Sequence, residues 1–205
     1  MRKTPLVEGE YYHVFNRGVD KRIVFQDNKD LNRFFTSIEQ FNTIDPIGSL
    51  YENSRTEWRS DRHKKLVEVV SYCLNPNHFH LLLRQVAKNG ISEFMKRLSG
   101  GYTWYFNNKY KRSGSLFQGK FKSIHVGSDE YILHLSVYIN LNNKMNKKGA
   151  LSKSSWKEYL GEEPKSICNP DIVLKQFRNI EEYKEFALGS LQDILERKKL
   201  EKELQ

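Results

Sequence analysis

The alternation of apolar and polar positions marks out the elements of this chain. "EYYHVFNR" (10–17) is aromatic and β-branched and predicts a strand, while "DLNRFFTSIEQF" (30–41) sets Leu31, Phe34, Phe35, Ile38 and Phe41 at helical spacing. Residues 42–65 are polar, hold Pro46 and Gly48 and keep no period, which predicts a long excursion or mobile loop. "LVEVVSYCL" (66–74) and "HFHLLLRQ" (78–85) are two strands joined by an Asn-Pro-Asn turn, a hairpin. Ile91, Phe94, Met95, Leu98 and Tyr102 then recur at steps of three and four, a helix with a Gly100-Gly101 flaw near its middle. "SLFQGKFKSIHV" (115–126) alternates as a strand, and Ser128 can cap a helix running from Asp129 to about Asn143. The order β, α, β, β, α, β, α predicts an α+β fold, a ferredoxin-like split βαβ antiparallel sheet with one added helix. Beyond it lie loops, short helices and a charged helical tail over 180–205. The chain thus divides into a main domain, 1–148, and a helical C-terminal extension, 149–205.

Within the hairpin, "NPNHFHLLL" (75–83) places two histidines one residue apart in an apolar run. Alternate side chains of a strand point to opposite faces, so His78 and His80 project together while Phe79 and Leu81 go to the other side. Such a pair is either a polar surface pair or a two-ligand arm for a metal, depending on what the rest of the chain brings to it.

Charge changes the picture because of where it sits. Residues 84–148 hold twelve Lys and Arg against three acids, an excess equal to the +9 of the whole chain, and the remainder is balanced. Aromatics run through the same segment, in "GYTWYFNNKYKRSGSLFQGKF". Basic residues interleaved with stacking rings suit a flexible, single-stranded polyanion; the competing reading makes the rings core and the lysines a solvated face. Lys111, Arg112, Phe117, Gln118, Lys120 and Lys122 are the candidate DNA contacts, with a tight strand edge the alternative for Phe117, Gln118 and Lys120. With 205 residues the chain supports one substantial core. No segment approaches the roughly 20 apolar residues of a membrane span, the basic amino terminus has no apolar run behind it, and a cytoplasmic location without membrane contact is expected. Cys73 and Cys168 match no zinc or redox spacing.

The added helix holds the other half of a site. In "DEYILHLSVYINLNNK", Tyr138 and Asn142 are four apart and so neighbours on one helical face. His134 and Tyr131 precede them on that face as a rival ligand and a rival nucleophile. If this helix docks beside the hairpin, two imidazoles, an amide oxygen and a phenol come together. That inventory suits cleavage of a phosphodiester. A divalent ion (Mg2+ or Mn2+) on His78, His80 and the Asn142 oxygen would polarise the phosphate. Tyr138 would attack, and a phosphotyrosine keeps the bond energy for a later joining step.

"NHFHLLL" followed by "YINLN" resembles the HUH single-tyrosine transposases, named for histidine, hydrophobic, histidine, and in particular the REP-associated tyrosine transposases and the insertion-sequence transposases related to them. "YYHVFNRG", "YCLNPNHFHLLL", "LSGGYTWYFNNKYKRSGSLFQGKFKSI", "DEYILHLSVYINLN" and "SSWKEYLG" are similar to successive blocks of that family, in family order, over residues 10–161. The resemblance implies a ferredoxin-like nuclease fold with a metal on His78 and His80, Asn142 completing the set, and Tyr138 as nucleophile. It implies hairpin-forming single-stranded DNA, at repeat or element ends, as substrate, and leaves a homodimer open. The implied activity is that of a transposase, an enzyme that nicks and rejoins DNA through a 5′-phosphotyrosine. Where the family usually has Arg, His and Pro, this chain has Val137, Asn140 and Asn143, departures that remove no catalytic group. His13, His63 and His125 read as structural or surface groups. The alternative function is a domesticated regulator that binds hairpins without cutting; the intact His78, His80, Tyr138 and Asn142 favour the enzyme.

Overall fold

The structure, a computed structural model, describes residues 5–45, 47, 64–145, 150–164 and 167–203, the side chains of residue 145 and of residues 195–203 excepted. Most of the excursion expected over 42–65 lies outside the described residues. Among the described residues five strands follow one another: β1 (Tyr11–Arg17), β2 (Val67–Asn75), β3 (His78–Gln85), β4 (Lys122–Val126) and β5 (Lys153–Ser154). They form one sheet in the order β4-β1-β3-β2-β5 with every neighbouring pair antiparallel. The first four strands with their two crossover helices make the split βαβ arrangement expected from the pattern. Among the described residues no helix is long and apolar enough to cross a membrane.

Both faces of the sheet are covered, which explains why β2 and β3 are apolar almost throughout. On one face α1 (Asn28–Gln40) and α2 (Gly90–Lys109) bury Leu31, Phe34, Ile38, Phe94, Leu98 and Tyr102 against Tyr12, Val14, Phe79, Leu81 and Leu83. Asp27 caps α1 by accepting the Asp30 N–H at 2.9 Å. α2 runs unbroken through Gly100-Gly101, contrary to the flaw expected there. A Cβ on Gly101 would lie 2.7 Å from the Phe41 ring, so the glycine permits close approach of the residue following α1 rather than a kink.

On the other face lies α3 (Asp129–Asn140), capped by Ser128, with Ile132, Leu135, Val137 and Ile139 packed among Val70, Cys73, Leu82 and Val126. It is shorter than expected: a 3-10 turn takes over at Asn142. The strand expected from 115 is also shorter. Residues before Lys122 form a turn around Gly119 (φ +69), tied to β1 by an isolated bridge between Gly18 and Phe117. The C-terminal residues share this second core. β5 pairs with β2, and α4 (Trp156–Tyr159), α5 (Asp171–Leu174) and α6 (Ile180–Glu203) bring Tyr159, Val173, Tyr183 and Ala187 against α3.

Candidate active site

Strand register assembles the site. His78 and His80 lie on the α3 face of β3, opposite Arg17 and Phe15 of β1 and opposite Asn75 and Cys73 of β2. Directly paired residues share a face, so six side chains are brought together across three strands. The Nδ1 of His78 donates to Asn77 Oδ1 at 2.6 Å, which leaves its Nε2 as an acceptor for the Asn75 amide, Nδ2, at 3.0 Å. The same Nδ2 donates to Asn142 Oδ1 at 2.7 Å. Burial pushes the pKa of His78 down, a hydrogen bond with Asn142 works against that shift, and the Arg17 charge adds to it. His78 is therefore neutral at physiological pH, the form that offers a lone pair.

His80 contacts a residue that reads from sequence as structural. His13 Nε2 lies 2.8 Å from His80 Nδ1, the two rings stack at 5.1 Å, and burial lowers the His13 pKa to about 4. With His13 neutral, its Nε2 can accept the Nδ1 proton of His80. His13 stands diagonal to His80 across β1 and β3, within reach of a ring on the same face. Its place at the alternate position in "YYHVF" was the available signal, since residues 11, 13, 15 and 17 of a strand share one face.

Tyr138 reaches this cluster from α3 in the same chain. Its ring lies edge-on to His80 at 5.6 Å and to His13 at 6.3 Å between centroids. Asn142 is buried beside Asn75, although it sits in the 3-10 turn rather than on the α3 face. The rivals go elsewhere: Tyr131 is exposed, and the His134 ring packs on Phe186 of α6 at 5.4 Å. His125 pairs with Glu10 at 2.8 Å, and His63 lies outside the described residues. Among the described residues no three His, Cys, Asp or Glu side chains gather as a metal cluster. Among the described residues, a metal here would draw on imidazoles and amides.

The DNA candidates separate by surroundings. Phe117 is a correction: its ring is buried against Phe79 at 5.6 Å, in the core and out of reach of a base. Arg112 is spent on its own turn, bonding Asn107 Oδ1 and, at 3.1 Å, the Ser115 carbonyl, while Lys111 holds a left-handed φ of 49° there. Gln118 is exposed and its backbone N–H bonds the Arg17 carbonyl at 2.8 Å. Lys122 pairs with Phe15 and thus shares the histidine face, whereas Lys120 lines a cavity of about 770 Å³ with Ser92, Met95, Lys96, Ser99 and Phe121. Arg17, exposed beside His78, is a cation at the site that the charge count passed over.

Alternating histidines on a central strand of a ferredoxin-like sheet, beneath a helix carrying a tyrosine, define the class of this site. Residues 49–142, which contain both histidines, Tyr138 and Asn142, match the family model described as "Transposase IS200 like". Among solved structures, the chain is similar to one described as "Structure of the REP associates tyrosine transposase bound to a REP hairpin", at 10% identity and a TM-score of 0.49 over 82% of this chain and 88% of that one. No curated protein matches the sequence.

Proposed function

We propose that this protein is a metal-dependent single-stranded DNA endonuclease and strand transferase, acting on hairpin-forming DNA through a 5′-phosphotyrosine on Tyr138. The observation that carries this is the meeting, in one chain, of the Tyr138 ring with His80 at 5.6 Å and of the His78 lone pair with the Asn142 oxygen around one amide. Two imidazoles and an amide oxygen on one face fit a divalent ion, with His78, His80 and Asn142 as its holders. When bound, the ion supplies Lewis-acid polarisation of the phosphate oxygens.

The chain's own groups account for the rest. The Tyr138 Oη attacks phosphorus, the bond to the 3′ oxygen breaks, and the phenol proton is balanced by the proton gained at the departing 3′-hydroxyl. The 5′ side of the break stays on the tyrosine. A second 3′-hydroxyl attacking that phosphotyrosine reverses the step, forms the new strand and returns the phenol. Because the tyrosine and histidines belong to one chain, a single subunit carries the full set. His13 holds His80 in one orientation, and Arg17 and Lys122 line the same face as cations for flanking phosphates.

The test is covalent trapping. Labelled hairpin DNA incubated with the protein and Mn2+, then denatured, should give a protein band shifted by the attached strand. Tyr138→Phe, which removes one oxygen, should lose the adduct and keep the fold. Hairpin binding without any adduct in the wild type would leave the non-cutting regulator as the function.

A further inference from the structure

Asn75 belongs to the turn in the sequence, yet in the structure its fully buried side chain is the point on which two ligand candidates converge. Its Nδ2 lies 3.0 Å from His78 Nε2 and 2.7 Å from Asn142 Oδ1. His78 Nδ1 is already committed to Asn77 at 2.6 Å, so it is the Nε2 lone pair that faces Asn75. Adjacent ligands of a six-coordinate ion with bonds of about 2.1 Å stand roughly 3.0 Å apart. The separations around the Asn75 amide are those of atoms that can share one ion.

An amide carries its nitrogen and oxygen at nearly equivalent positions. A half-turn about the Cβ–Cγ bond puts Oδ1 where Nδ2 now lies, with no movement of β2. On the far side of the amide the Cys73 thiol donates to Asn75 Oδ1 at 3.6 Å, a weak bond. Small divalent ions such as Mg2+ prefer oxygen ligands, and the two histidines and Asn142 offer just one. Resting on the functional reading above, we propose that Asn75 is a further metal ligand, its amide turning to present Oδ1 to the ion that His78, His80 and Asn142 hold.

Mn2+ titration of the full chain without DNA, followed by electron paramagnetic resonance, tests this apart from activity. Wild-type protein should bind Mn2+ and His80→Ala should not; a wild type that takes up none overturns both the site reading and this inference. Asn75→Leu should weaken binding about tenfold or more, and Asn75→Asp should hold Mn2+ at least as tightly as the wild type. Binding by Asn75→Leu that is unchanged or tighter means the amide merely competes for the lone pairs, and overturns the role of Asn75 alone. Pulsed resonance on wild-type protein with 13Cγ-labelled asparagine avoids any folding effect of substitution. Two strongly coupled carboxamide carbons are expected, from Asn75 and Asn142, and a single one overturns the proposal.

Discussion

Replacing Lys109 by methionine should destabilise the protein without touching the proposed DNA chemistry. Lys109 ends α2, and its ammonium lies 2.8 and 2.9 Å from the two oxygens of Asp27 and 2.6 Å from Asp30 Oδ1. Asp30 is wholly buried and also accepts from the Tyr105 hydroxyl (3.1 Å), the Tyr110 hydroxyl (2.8 Å) and the Gln26 N–H (2.8 Å). Removing one partner of a buried ion pair costs about 3–5 kcal/mol. Lys109 is partly exposed and the tyrosines and the backbone would still serve Asp30, so about 2–3 kcal/mol is expected here. In a chain of this size that lowers Tm by about 5–10 °C. Urea unfolding would measure it, and adding Asp30→Asn should recover part of the loss, because the stranded charge goes too. The Asp27 carboxyl is held below the usual carboxylate range, first by its hydrogen bond from Lys109. A depressed carboxyl contributes stability in full above its unfolded pKa and loses it as pH falls through the folded one, so Lys109→Met should also flatten the acid loss of stability below about pH 4. Stability within about 0.5 kcal/mol of wild type would refute the account, and a reduced salt slope for hairpin binding would move Lys109 to the DNA surface.

His78→Ala and His80→Ala should each abolish the covalent adduct in a trapping gel while hairpin affinity by fluorescence anisotropy stays near wild type; cutting at the wild-type rate by either would remove the metal assignment. Neutralising Lys120 with Lys122 should lower the salt slope of binding by about 0.7 for each single-strand phosphate deprived of its cation, and an unchanged slope would locate the DNA elsewhere. Tyr131→Phe should form the adduct normally, because Tyr131 is exposed while the Tyr138 ring lies beside His80, and peptide mapping of the trapped complex should find the nucleotide on Tyr138.

The elements with a clear period were legible: the hairpin, α1, α2 and the order of strands that makes the sheet. So was the shared face of His78 and His80, since two-residue alternation is a property of any strand. Pairing between strands is not written locally. That is why His13 and Asn75, which reach the histidines through cross-strand register, read as a structural histidine and as part of a turn. Phe117 was misplaced for a different reason: a ring among lysines looks the same whether it stacks on a base or fills a core, and only its packing against Phe79 decides. Asn142, expected on the α3 face, sits instead in the 3-10 turn two residues past the end of α3, where its Oδ1 accepts from the Asn75 amide.

The departures within α3 have a structural place behind the tyrosine. Val137 packs in the second core, and the Asn140 amide donates to the Tyr183 hydroxyl at 2.9 Å while its oxygen accepts from Ser155 Oγ. Ser155 in turn accepts the Tyr72 N–H at 2.9 Å, and the Tyr159 hydroxyl bonds the Val70 carbonyl at 2.9 Å. α3 is thus held from behind by C-terminal residues that grip β2, the strand that carries Asn75. Tyr138 and Asn142 flank Asn140 at two residues on either side, so a fixed Asn140 fixes the approach of both to the histidines. Buried hydrogen bonds of this kind set position more than they add stability, since each replaces one made to water. The residues after 149 therefore act on the site by holding its helix, even though none of the candidate catalytic groups comes from them.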